Sequence, residues 1–245
     1  RLQLESLIDT LTQIARITKE SDDLFQVARV CFNKKRYDEV LKALELLHRN
    51  FPEHTKGAEL KVRTLIILDK YELALNELDI MDSKGILDGK LSLRRAEISY
   101  NTGNISGARL AFEKLWMENG EIAAALGLIK CLIAMEEFHS ALELIHSLDT
   151  GDDANIILVK LRCLQKLSRF NEVIQCYQTV QDIVGGDQRI LQIAATAQKK
   201  LGRTSKAIEL WKKLLVLDPE NVSAEFGIAG VSYDSHDNSL AMEYT

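Results

Sequence analysis

Proline and glycine are scarce. The 245 residues hold 2 prolines and 13 glycines, too few to reverse the chain at the short intervals of a many-stranded sheet and too few for a flexible linker. No run of eighteen apolar residues occurs, and no charged, apolar and small-residue leader opens the chain, so neither a membrane-spanning helix nor a secretory signal is expected. A basic excess is missing too: the formal net charge is −5 and the pI about 5.6, against the cationic balance that phosphate-backbone binding uses. The four cysteines, Cys31, Cys131, Cys163 and Cys176, include no C-x-x-C pair, which argues against a zinc ribbon or dithiol redox site. Reduced, buried thiols in a cytoplasmic protein are the expectation. Arg1 is not an initiator residue and the helical pattern runs up to Thr245, so both ends read as cut from a longer chain.

Catalytic signatures are absent as well. None of His48, His54, His139, His146 and His236 stands in an H-E-x-x-H or H-x-x-E-H context, and His139 and His146, two turns apart on one helix, are too widely spaced to share an ion. The chain has no phosphate-binding glycine loop, no dinucleotide fingerprint and no nucleophile elbow. Carboxylates are interleaved with lysines and arginines, as on solvated helix faces. No catalytic residue, metal or cofactor is assigned, and a non-enzyme is expected.

What the chain does contain is helix-forming material, 46% hydrophobic and 27% charged, and a phrase that returns. An aromatic or other apolar residue is followed, after two variable positions, by a small residue and an apolar one. Tyr37-Asp38-Glu39-Val40-Leu41, Tyr71-Glu72-Leu73-Ala74-Leu75 and Phe138-His139-Ser140-Ala141-Leu142 show it, as does Phe170-Asn171-Glu172-Val173-Ile174. Ile105-Ser106-Gly107-Ala108-Arg109 and Thr204-Ser205-Lys206-Ala207-Ile208 are variants. The small residue recurs at 40, 74, 108, 141, 173, 207 and 241, in steps of 34, 34, 33, 32, 34 and 34. Such a period is the mark of stacked helix pairs, none of which can bury its apolar face alone.

In this phrase and period, over residues 21 to 245, the sequence resembles the tetratricopeptide repeat (TPR) family. The small residue that the family uses at its eighth position is matched by Ala28, Ala96, Ala195 and Ala229, but Val62, Ile129 and Leu161 replace it elsewhere, where helices are expected to cross less closely. The large residue four past the marker is Leu44, Leu78, Phe112, Ile145, Tyr177 and Trp211 in turn. Pro52 and Pro219 keep the family's helix-ending proline. Elsewhere Asp82-Ser83-Lys84-Gly85, Asn119-Gly120, Asp149-Thr150-Gly151-Asp152-Asp153 and Gly185-Gly186-Asp187 supply turn chemistry. Gly103 and Gly202 suit the left-handed turn inside a helix pair; other pairs place Lys, Asp, Glu or Ser there.

The resemblance implies an all-α, right-handed superhelical solenoid. Residues 1–20, with Leu4, Leu7, Ile8, Leu11, Ile14 and Ala15 on one stripe, form an N-terminal cap or the end of an earlier repeat. Residues 21–221 form six repeats and 222–245 a truncated seventh. Pentatricopeptide arrays share nearly this period and read single-stranded RNA, but the acidic balance and the alanine-aromatic phrase favour the protein-binding relative.

The resemblance also implies a concave groove lined by the first helix of each pair. Its ninth positions are Arg29, Arg63, Glu97, Lys130, Arg162 and Thr196; Lys56, Lys90, Arg189, Arg94, Lys166, Lys199 and Lys200 join them from other groove positions. Asp22, Glu59 and Glu97 oppose these eleven cations, inverting the sign of the whole chain. Asp38, Glu39, Glu72, Glu77, Glu113, Glu143 and Glu172 would make the other face acidic. Apolar groove positions are Phe25, Phe32, Leu93, Tyr100, Leu126 and Leu158, over which long basic side chains could simply lie.

The function implied is protein-protein scaffolding, with an acidic or amphipathic peptide held in the groove and Arg29, Lys56, Arg63, Lys90, Arg94, Lys130, Arg162, Arg189, Phe32 and Tyr100 as its contacts. Other readings are the non-catalytic arm of a larger glycosyl- or sulfotransferase and a self-association module. The clamp by which some TPR proteins grip chaperone C-termini is matched by Lys90 and Arg94, but Phe25, Arg29 and Leu60 stand where it needs Lys, Asn and Asn.

Overall fold

The computed structural model describes residue 13 and residues 21–148 and 153–234. The 1–20 stripe, the Asp149–Asp152 part of one turn, His236 and the Ala241 marker lie outside that description, Gln13 excepted. Among the described residues there are thirteen helices and no strand. They are α1 (Ser21–Asn33), α2 (Tyr37–Asn50), α3 (Thr55–Ile67), α4 (Tyr71–Ser83), α5 (Gly89–Asn101), α6 (Ile105–Asn119) and α7 (Ile122–Ala134), then α8 (Phe138–Ser147), α9 (Ala154–Lys166), α10 (Phe170–Val184), α11 (Gln188–Lys200), α12 (Thr204–Leu217) and α13 (Val222–Asp234). The chain divides into two compact units, one ending at Cys131 and the other beginning at Leu132, inside α7.

A helix such as α1 is amphipathic because its apolar residues recur every three or four positions. On α1 these are Leu24, Val27, Ala28 and Cys31, all buried. In the first unit each helix from α1 to α6 packs on its neighbour in sequence; in the second unit α8 to α13 do the same, and α11 also touches α9 and α13. The marker residues sit where two helices cross: Val40, Ala74, Ala108, Ala141, Val173 and Ala207 are all at 0% exposure. Only a small side chain lets two backbones approach there. Val62, Ile129 and Leu161 are nevertheless also inside, at 0%, 3% and 0%.

The turn within a pair follows one recipe. Its middle residue is left-handed, with φ 58° at Lys35, 54° at Asp69, 85° at Gly103, 60° at Glu136, 58° at Ser168 and 70° at Gly202. The predicted glycines are thus correctly placed, and four non-glycines accept the same strained conformation. Between pairs, Asp88, Asp153 and Asp187 cap α5, α9 and α11 by accepting backbone N–H bonds, as His54 Nδ1 does for α3.

The large residue after each marker fills the seam toward the next helix pair. Where it is aromatic, two of the facing helices have no side chain at all. A Cβ on Gly127 of α7 would stand 2.4 Å from the Phe112 ring, and one on Gly227 of α13 would stand 2.5 Å from the Trp211 indole. Ring and glycine are a matched pair in each unit.

Candidate binding cleft

Helices α1 and α3 present their ninth-position arginines to solvent, because the eighth position is turned inward and the next residue lies 100° around the helix. Arg29 and Arg63 are therefore exposed beside buried Ala28 and Val62. Arg63 reaches across to α1, where its guanidinium lies 5.1 Å from the Phe32 ring centroid, within cation–π range. Phe32 meets Tyr37 edge-on at 5.8 Å, and Phe25 meets the His54 ring at 5.0 Å. The phenyl rings are thereby held at their backs while one side of each faces the cleft.

Two adjoining clefts run over α1, α3 and α5. The first, about 480 Å³, has Phe25, Arg29, Phe32, Lys56, Glu59 and Leu60 in its walls. The second, about 420 Å³, has Val62, Ile66, Ile67, Lys90, Leu91 and Arg94. Arg63 and Glu59 line both and make them continuous. Asn33, Ile66 and Ile67 were not singled out by the repeat frame. They stand at its twelfth and thirteenth positions, the twelfth being that of Phe32 and Tyr100.

The cations differ in availability. Lys56, Arg63 and Lys90 form no ion pair with a described residue, and Arg29 donates only a long 3.5 Å bond to Gln26 Oε1. Arg94 is different: its guanidinium is 2.6 Å from the Glu97 carboxylate, so the ninth-position acid consumes the sixth-position base of its own helix. Tyr100 is half-buried on α5 and lies in neither cleft wall. Lys130 is exposed on α7.

In the second unit Arg162 is exposed on α9, but Arg189 is forked onto Asp187, with Nη2 to Oδ2 at 2.7 Å and Nε to Oδ1 at 3.1 Å. That guanidinium, chiefly through its hydrogen bonds, holds the Asp187 carboxyl below the usual carboxylate range. Thr196 donates to the Gln192 carbonyl at 2.8 Å. Leu158, expected in the groove, is at 3% exposure and belongs to the core, because two of its helical faces are covered where α9 meets both α10 and α11.

The acidic face needs one correction. Glu77 is not a surface carboxylate but is buried, at 4%, where Lys61 of α3 pairs with it; Glu77 Oε1 has no hydrogen-bond partner. Its position, three past the marker, turns it toward α3 rather than outward. Glu39 and Glu172 are paired with Arg36 and Arg169 one turn earlier.

All four cysteines are free, and Cys31, Cys131 and Cys163 are buried. Burial pushes each of these thiols up, and Cys176 likewise, away from the thiolate that nucleophilic chemistry requires. Among the described residues no three His, Cys, Asp or Glu side chains gather as metal ligands, and no helix is long and apolar enough to cross a membrane. The cleft walls offer positive charge, ring faces and apolar side chains.

No family profile matches the sequence, and no curated protein matches it either. Solved structures do. The C-terminal part of a TPR repeat-containing protein from Cytophaga hutchinsonii superposes with a TM-score of 0.77 at 14% identity, over 90% of this chain and 92% of that one. A TPR protein from Parabacteroides merdae gives 0.67 at 13% identity, over 91% and 90%. YrrB, described as a TPR protein with an unusual peptide-binding site, gives 0.56 at 12% identity, over 68% of this chain and 88% of that one. The fold is thus that of TPR proteins: an all-α, solenoid-type stack of antiparallel helix pairs.

Proposed function

We propose that this chain is a non-catalytic, cytoplasmic scaffold for protein-protein interaction, and that its first unit holds an acidic or amphipathic segment of a partner along α1, α3 and α5. The observation that carries this reading is the continuity of the two clefts through Arg63 and Glu59, with Arg29, Lys56, Arg63 and Lys90 paired with no carboxylate among the described residues, beside the half-buried Phe25 and Phe32. Carboxylates of the partner would pair with these cations, where a charge-assisted bond is shorter and stronger than a neutral one. Apolar side chains of the partner would lie against the two rings and Leu60. The peptide-binding site of YrrB supports the same kind of use for this fold. Lys130 and, in the second unit, Arg162 are exposed cations at the same repeat position, whereas Arg94 and, in the second unit, Arg189 are engaged by Glu97 and Asp187.

The test is fluorescence anisotropy of a labelled nine-residue peptide of glutamates with two leucines, titrated with wild-type protein and with an Arg63→Glu/Lys90→Glu double variant across a salt series. Charge-driven binding predicts affinity that falls as salt rises, and a loss of at least about tenfold in the variant, equivalent to about 1.4 kcal/mol. Equal affinity in both proteins, with circular dichroism showing both folded, overturns the reading.

A further inference from the structure

The carboxylates in the walls of the two clefts are not equivalent. Asp88 is committed as the cap of α5, accepting the Leu91 N–H at 2.8 Å. Glu97, just outside the walls, is committed to Arg94 at 2.6 Å. Glu59 alone among the described carboxylates lining the clefts has no ion-pair or side-chain hydrogen-bond partner, and it is half-buried and shared by both. It stands one turn from Lys56 on one side and one turn from Arg63 on the other. The position suits an i,i+4 pair with Arg63, yet that guanidinium lies over the Phe32 ring instead.

A uniformly acidic ligand would bring a carboxylate onto Glu59 between its two favourable contacts, and like charges brought together in a partly desolvated cleft repel. Resting on the acidic-segment reading, we propose that Glu59 sets the register of the bound segment. It does so by selecting a partner with a cationic side chain, Lys or Arg, flanked on both sides by acidic residues. The cation meets Glu59, one acidic flank meets Arg29 and Lys56, and the other meets Lys90. Specificity of this kind works through repulsion of the wrong ligand as much as attraction of the right one. Neighbouring helices stand about 10 Å apart and an extended peptide advances about 3.3 Å per residue, so the three helices are spanned by about seven residues.

The experiment uses the whole chain and a set of labelled nine-residue glutamate peptides in which a single lysine is moved from the third to the seventh position, beside the all-glutamate peptide. The wild type binds one lysine position best, at least about fivefold tighter than all-glutamate, although that peptide carries two more negative charges. Glu59→Gln abolishes the preference and binds the all-glutamate peptide more tightly than the wild type does. A wild type that binds all-glutamate best, with Glu59→Gln leaving the ranking of the peptides unchanged, overturns the register role while the acidic-segment reading survives through the loss in Arg63→Glu/Lys90→Glu. No binding of any peptide, or binding indifferent to that double variant, overturns both.

Discussion

The two units fill the seams of one repeat frame differently. In the first unit Phe25 and Phe32 stand at the edge of a cleft while Leu44 and Leu78 fill the seams behind. In the second unit Tyr177 and Trp211 occupy that seam position. Phe112 is the first unit's seam aromatic, and like Trp211 it is met by a glycine on the next helix, Gly127 or Gly227. The frame therefore dictates which residue enters the seam, but an aromatic there is accommodated only by what faces it. Rings reach the surface beside an aromatic seam as well: Phe226 and Tyr233, at the frame positions of Phe25 and Phe32, are 71% and 73% exposed on the helix that meets Trp211.

Trp211→Ala should have the largest effect on that contrast. Removing a ring at 2% exposure costs about 3–5 kcal/mol, read by urea denaturation. Because repeats couple mainly to their neighbours, hydrogen exchange should rise through α11 to α13 and stay unchanged in α1 to α3. Uniform loss along the chain would contradict the nearest-neighbour picture.

Lys61→Met comes next, at about 2–3 kcal/mol, since it leaves the Glu77 charge buried without its partner. The double change Lys61→Met/Glu77→Leu should recover most of the loss, and a thermal-denaturation cycle checks the coupling. Gly227→Ala should cost about 1–3 kcal/mol by overpacking, and close to nothing in a Trp211→Leu background. If it costs the same in both backgrounds, the ring is not what the glycine accommodates. The smallest effect has the opposite sign: Lys35→Gly and Glu136→Gly, each relieving a left-handed non-glycine at φ 58° and 60°, should raise stability by about 0.5–1 kcal/mol, seen as a higher Tm.

Much of this was legible beforehand because helix-pair repeats are governed by local rules. The period placed the start of every first helix, the marker identified the crossing residues, and the left-handed turns fell where Gly103 and Gly202 announced them. Arg29, Arg63, Lys56 and Lys90, expected as partner contacts along a groove, are exposed. Two departures come from packing between helices: Glu77, expected on the surface, is held inside by Lys61, sixteen residues away, and Leu158 is covered by two neighbouring helices. Two are local: Arg94 and Arg189 are engaged by Glu97 and Asp187, three and two residues away, which counting charges one by one leaves out.

The sequence by itself determined the helices, their turns and the inward-facing residues, because those follow from 3.6-residue periodicity and from backbone preferences acting within one repeat. Tertiary structure alone decided that Lys61 pairs with a buried Glu77, that Arg63 lies on Phe32 rather than on Glu59, and which seams hold a ring against a glycine. Those outcomes depend on distances between side chains of different helices, and such distances exist only once the helices have packed.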